Sequence, residues 1–190
     1  MPRTKEFEAE EAIEGAMEAF WEKGFKGTSL STLTNATGLH KGSLYGAFQS
    51  KEELYVLCLD AYMKRLRTSF FDGSESARDY LKRFFKGMVH SQTADKGCLI
   101  MNTCLEFSEE SGPLPSKAKK YLNEIQQHFV TILEHGIKEG EFSSSLNVKQ
   151  CSERLLALGF TLKEMGKFVK NKTFLQNIAN GVLSELDIRI

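Results

Sequence analysis

Gly38-Leu39-His40-Lys41-Gly42-Ser43-Leu44-Tyr45-Gly46-Ala47-Phe48-Gln49-Ser50-Lys51-Glu52-Glu53-Leu54 is the stretch on which the reading of this 190-residue chain turns. Its centre, Lys41–Phe48, has one apolar pair at helical spacing, Leu44 and Phe48, and leaves Lys41, Gly42, Ser43, Tyr45, Gly46 and Ala47 for the opposite side. Each of the two glycines costs about 1 kcal/mol relative to alanine in a helix. A helix that only has to pack has little reason to accept that cost, whereas one whose backbone is pressed against a flat partner does. Upstream, Ser29–Thr37 is an equally short helix stopped by Gly38. Two short helices joined by the tight turn Gly38-Leu39-His40 form a helix-turn-helix, whose second member would lie in a DNA major groove. Downstream, Ser50-Lys51-Glu52-Glu53 reads as a capping box that opens a long helix.

Charge supports the same reading locally. The 25 Lys+Arg and 25 Asp+Glu cancel over the whole chain, yet Lys23 to Lys51 holds four lysines and no acid, beside a strongly acidic first helix. Thr28, Ser29, Ser31, Thr32, Ser43, Tyr45 and Ser50 add hydroxyl donors suited to phosphate oxygens. Charge alone would fit a solvated surface equally well; the helix-turn-helix spacing gives it direction.

The ordered pattern from Gly24-Phe25-Lys26-Gly27-Thr28-Ser29 through Lys41-Gly42-Ser43-Leu44-Tyr45 to Phe48-Gln49-Ser50-Lys51-Glu52-Glu53-Leu54 resembles the TetR family of bacterial transcriptional regulators, over about residues 10–55. The resemblance implies that Thr28 and Ser29 bond phosphates and that Lys41, Gly42 and Ser43 reach base edges or backbone. It also implies a Tyr45 hydroxyl on a phosphate and Lys51 at a flanking phosphate, aided by the helix amides. Phe20, Leu33, Leu44 and Phe48 would be core. The sequence departs from the pattern in three places: Thr34 replaces a small alanine, His40 stands where Ser or Thr commonly caps the recognition helix, and Gly46-Ala47 replace larger residues. His40 would itself contact phosphate, more strongly when protonated.

The rest of the chain is read as helical too. With prolines only at 2, 113 and 115, little interrupts helices. The first helix carries Ile13, Ala16, Met17, Phe20 and Trp21 as a stripe and ends at Gly24. The long fourth helix is expected to run to about Phe71. Five more are read at Ser76–Ser91, Cys98–Glu110, Ser116–Lys138 with Ser116 as cap, Asn147–Lys170 with Asn147 as cap, and Thr173–Leu186. The expectation is an all-α chain of about nine helices, with a DNA-binding domain at 1–50 and a helical effector-binding and dimerisation domain at 51–190. Cys151, Leu155, Leu158, Leu162 and Met165 repeat at four-three spacing, and Leu175, Ile178, Val182 and Leu186 form a second stripe. These two helices, residues about 148–188, are expected to build a four-helix homodimer interface, which would match two half-sites of a palindromic double-stranded operator.

Phe84, Phe85, Met88, Met101, Leu105, Phe129 and Phe160 are the soft and aromatic residues that would line an apolar effector pocket, although such stripes also serve as plain core. Gly97-Cys98-Leu99-Ile100-Met101-Asn102 leads to Glu106 and resembles a stretch found in one branch of the family, some of whose members sense electrophiles or oxidants through cysteine. Cys98 would lie in a first helical turn, where amides favour thiolate; the alternative is a buried packing residue. Asn102 and Glu106 read as hydrogen-bonded structural groups. His128 and His135, with Glu124 and Glu139, have metal-compatible helical spacing but read as a solvated face.

Composition narrows the classes further. With 41% apolar and 26% charged residues the chain is not disordered. It has no apolar run long enough to cross a membrane and no apolar leader in Met1–Glu14. Four widely spaced cysteines argue for a reducing cytoplasm. No metal, cofactor or nucleophile–base pair is expected, and hence no enzyme. The function expected is a ligand-responsive transcriptional repressor released from its operator by a small hydrophobic effector. The alternatives are a regulator switched at Cys98 and an all-α scaffold with a vestigial DNA head.

Overall fold

A computed structural model describes residues 3–90 and 96–190, with side chains from residue 9 onward. Nine α-helices occur among the described residues: α1 Arg3–Gly27, α2 Leu30–Thr37, α3 Lys41–Phe48, α4 Lys51–Arg67, α5 Ala77–Val89, α6 Leu99–Glu106, α7 Pro113–Lys138, α8 Val148–Met165 and α9 Lys172–Leu183. The helices fall into two compact units. The first holds the chain up to Ser69 together with Leu99–Tyr121; the second holds Phe70–Cys98 and Leu122–Ile190.

In the first unit α1 packs on α2 and α4, and α6 lies against α1 and α4. Met17, Phe20, Leu33, Leu54, Tyr55, Leu59, Met63 and Leu99 form its centre, each at most 1% exposed. Gly15 sets the spacing of α1 and α2, because a Cβ there would sit 2.2 Å from the Ala36 carbonyl oxygen. Tyr55 carries a polar atom into this core and satisfies it. Thr103 gives its proton to the Leu99 carbonyl at 2.7 Å, so the Tyr55 hydroxyl donates to Thr103 Oγ1 at 2.8 Å. Burial pushes the Tyr55 phenol up to about 12.

In the second unit α5 packs on α8 and α9, and α8 on α9. Ser76 caps α5 through the Asp79 amide, and the Glu141 carboxylate takes the Ala77 and Arg78 amides at 3.0 and 2.9 Å. The four-three seam of α8 does not face outward. Cys151, Leu155, Leu158 and Leu162 are at most 2% exposed within the core of their own chain, with Leu175, Leu183 and Leu186. Side chains so enclosed cannot meet a second copy. Half-buried Val148, Leu156, Phe160 and Met165 on α8 and Ile178 and Val182 on α9 are apolar residues left partly toward the surface, and Phe174 is exposed.

Several helix ends differ from the sequence expectation, each for a local reason. α4 stops at Arg67, where the Thr68 and Ser69 hydroxyls donate to the Arg65 and Leu66 carbonyls. α7 starts at Pro113 and not at Ser116. Both prolines sit in its first turn, where a missing N–H costs nothing, and the Ser116 amide reaches the Gly112 carbonyl. α6 is shorter than expected, Leu99–Glu106, and α8 ends at Met165. α9 starts one residue early with Asn171 as cap and finishes in a 3-10 turn at Ser184–Leu186. α5 ends at Val89; Ser91 lies outside the described residues. The capping box is half formed, since Ser50 Oγ accepts the Glu53 amide while the Ser50 amide goes to the Phe48 carbonyl.

His128 is not on a solvated face. It is 8% exposed, its ring stacks on Phe70 at 3.9 Å, and Nε2 accepts the Phe71 amide at 3.3 Å and pairs with the Tyr80 hydroxyl at 2.8 Å. The amide bond fixes Nε2 as acceptor and places the neutral ring's proton on Nδ1. Burial pushes the imidazole down to about 4.

Candidate nucleic-acid interface

α2 and α3 stand where the spacing places them. Ser29 caps α2 by accepting the Thr32 amide, Gly38 ends it in the left-handed region at φ 69°, and His40 precedes α3 with extended backbone and no side-chain capping bond. The division of α3 follows the sequence reading residue by residue. Leu44 and Phe48 are buried, while Lys41, Gly42, Ser43, Tyr45, Gly46 and Ala47 are exposed. His40 is exposed beside them. Among the described residues nothing lies within 4 Å of where a Cβ would stand at Gly42 or Gly46. The fold itself therefore does not require glycine at either position, and α3 offers bare backbone to whatever approaches it.

Beside this face is a groove of about 320 Å³ lined by Lys26, Ser29, Tyr45, Ser50 and Lys51, with Leu33, Leu44 and Phe48 in its wall. Residues from α1, α2, α3 and α4 thus bring two ammonium groups and three hydroxyls to one hollow. That is donor chemistry for an anionic oxygen, and α4 also opens here with its first amides. Lys51 is aimed by an aromatic support, its Nζ standing 4.3 Å from the Phe25 ring centroid.

Thr28 takes a different part from the one expected. It is 1% exposed, and its hydroxyl donates to the Gly24 carbonyl at 2.6 Å. With its proton spent inside the chain, it braces the turn before α2 instead of meeting a phosphate. Lys26 is one of the four lysines of the acid-free stretch, whereas Phe25 and Glu106 have no expected part at this surface. Lys26 pairs with Glu110 at 2.6 Å, which raises its ammonium pKa, and it lies 5.3 Å from the Phe107 ring. No local signal marks the contact of Phe25 and Lys26 with Glu106, because the partners lie some eighty positions apart.

The residues expected to line an effector pocket fall in both units. Phe85 and Phe129 are at most 1% exposed and stack at 5.9 Å, with Phe84 edge-on to both. They are packing residues of the second unit, with half-buried Met88 packed against the same core; Phe160 on α8 is half-buried. Met101 and Leu105 belong to α6 in the first unit, and Leu105 is 60% exposed. Cys98 lies just before α6 rather than in its first turn. It is 6% exposed, and its amide donates to Glu164 at 3.1 Å. Lys163, next to Glu164, has its ammonium pKa lowered by burial.

Comparison with known proteins gives this geometry a context. The family model described as bacterial regulatory proteins, tetR family, matches residues 12–58, and the one described as tetracyclin repressor-like, C-terminal domain, matches residues 77–182. The transcriptional repressor ComR of Escherichia coli is 32% identical over 124 residues, covering 62% of this chain and 59% of ComR, so the chain spans about three fifths of that relative. A TetR family regulator from Cytophaga hutchinsonii has a crystal structure that superposes with a TM-score of 0.83 at 25% identity, covering 96% of this chain and 94% of that one. The TetR family regulator CifR, complexed with 26-bp double-strand operator DNA, superposes with a TM-score of 0.75 at 26% identity, covering 91% and 94%.

Proposed function

Because the chain belongs to the TetR family of bacterial regulatory proteins, we propose that it is a transcriptional repressor in which residues 1–50 hold duplex operator DNA and residues 51–190 carry effector response and dimerisation. The observation that carries this reading is α3. Its two buried residues face its own chain, and its exposed face shows Lys41, Ser43 and Tyr45 around two glycines that no contact in the fold calls for. In this reading α3 enters the major groove with Lys41, Gly42 and Ser43 toward the bases. Ser29, Tyr45 and Lys51 hold a backbone phosphate in the groove they share, and His40 lies at a neighbouring phosphate.

Release follows from an effector that binds the DNA-incompetent arrangement more tightly, with a coupling of about 1–3 kcal/mol. The half-buried Phe84, Met88 and Phe160 suit a small hydrophobic molecule. A thiol switch at Cys98 is less well supported, since the sulfur belongs to a residue that is 6% exposed. No helix among the described residues is long and apolar enough to cross a membrane; the proposed setting is the cytoplasm.

The test is fluorescence anisotropy on duplex DNA from upstream of the chain's own gene and on genomic fragments selected by binding, at two salt concentrations. Tight binding that weakens with salt, and that Lys41→Ala and Tyr45→Phe each reduce, is the expected result. Loss of a lysine–phosphate contact, as in Lys51→Ala, should make the slope of log affinity against log salt shallower by about 0.9, whereas Tyr45→Phe, which removes no charge, should leave the slope unchanged. Equal affinity for selected and random DNA would sink the proposal and favour a scaffold with a vestigial head.

A further inference from the structure

α1 is broken at Gly24, whose φ of 71° and ψ of 173° lie in a region open essentially to glycine alone. The break points two successive amides at one carboxylate on α6. Phe25 N–H donates to Glu106 Oε2 at 2.8 Å, and Lys26 N–H donates to Glu106 Oε1 at 2.6 Å. Approach is close enough that a Cβ on Gly24 would lie 3.0 Å from Glu106 Oε2. Lys26 Nζ also reaches the Glu106 carbonyl at 3.4 Å and the Glu110 carboxylate at 2.6 Å. The second unit uses the same device where Glu141 holds the first amides of α5.

The held turn carries the groove's furniture. The Phe25 ring supports the Lys51 ammonium, and the Gly24 carbonyl receives the Thr28 hydroxyl one residue before Ser29 caps α2. From this geometry we infer that Glu106 is a positioning residue for DNA binding: its carboxylate fixes the Phe25–Lys26 turn and, through the Phe25 ring, the place of Lys51. The inference rests on the proposed role of Lys51 at a phosphate.

Electrostatics alone predict the opposite sign, which makes the role testable. A carboxylate beside a surface that meets a polyanion repels it, so neutralising that carboxylate should tighten binding. A positioning carboxylate predicts weakening, because an amide cannot accept two N–H bonds through two oxygens.

The experiment measures the full-length chain on a duplex recovered by selection of genomic fragments on the wild-type protein. Glu106→Gln, Lys51→Ala and the double variant are compared across a salt series, with circular dichroism confirming that each is folded at the temperature used. Glu106→Gln is expected to weaken binding about tenfold and to flatten the salt dependence by about one contact. The double variant should be no weaker than about the Lys51→Ala protein, since both changes remove one cation–phosphate contact. Glu106→Asp, which keeps the charge but not the reach, should weaken binding in the same direction and covers the case of a poorly folded glutamine variant. Unchanged or tighter binding by Glu106→Gln and Glu106→Asp, with Lys51→Ala still impaired, overturns this inference alone, as do fully additive losses. An unimpaired Lys51→Ala protein overturns the Lys51 phosphate role and this inference together.

Discussion

His128 shows how a residue's surroundings replace its sequence-level reading. On the chain it is one of four scattered histidines, spaced from His135 as if on one helical face. In the fold its ring is clamped between Phe70, Tyr80 and the Phe71 amide, and the neutral form is the one those contacts accept. The imidazole is held at about 4, against 6.5 when exposed. Above pH 6.5 both folded and unfolded chains carry it neutral and no penalty exists. Between pH 6.5 and 4 the unfolded chain takes a proton that the folded chain refuses, so stability falls as pH falls through that window. The loss between pH 7 and pH 5 should be about 2 kcal/mol. Urea unfolding at the two pH values measures it. His128→Gln, which retains an acceptor oxygen, should remove most of the difference; a variant with an undiminished pH slope would show that other groups cause it.

Helices α1 and α3 contain glycines that look alike in the sequence and do opposite things. At Gly15 the opposing backbone of Ala36 leaves no room for a methyl group, so Gly15→Ala must push α1 and α2 apart. The expected cost is about 2 kcal/mol, seen as a fall in Tm of about 6 °C by circular dichroism. At Gly42 there is open space, and alanine should add up to about 1 kcal/mol to α3 by propensity alone. Gly42→Ala is therefore expected to raise Tm while lowering operator affinity, because the added methyl stands on the face proposed to meet DNA. Unchanged affinity in that variant would mean that α3 does not approach the bases closely at Gly42. The two substitutions differ by a single methyl each, and their opposite signs separate packing from interface within one unit.

Assembly belongs to the whole molecule. We propose a homodimer built on the outer faces of α8 and α9. The seam at four-three spacing is consumed by the chain's own core, which moves the expected contact to Leu156, Phe160, Ile178 and Val182. Placing glutamate at both Leu156 and Val182 should turn a dimer into a monomer by light scattering, while Cys151→Ala should lower stability without changing mass. A dimer that survives the double glutamate would place the interface elsewhere.

Much of this was legible in the sequence because it is set by short-range physics. Helical class, the cap residues Ser50 and Asn147, and the inward and outward sides of α3 all depend on residues within one or two turns. Helix ends were less legible. Pro113 and Pro115 read as breakers, yet they open α7, since a first turn has no use for their missing amides. Three things were decided only by tertiary structure: the grip of Glu106 on Phe25 and Lys26, the burial of His128, and the burial of the α8 seam. Each depends on a partner that the sequence places far away, on which of two apolar faces meets the core first, or on desolvation, which no local pattern encodes. The chain's own residues thus determined that it would be helical and which residues α3 would leave exposed, while the packing of distant helices decided which side chains remained available on the face proposed to meet DNA.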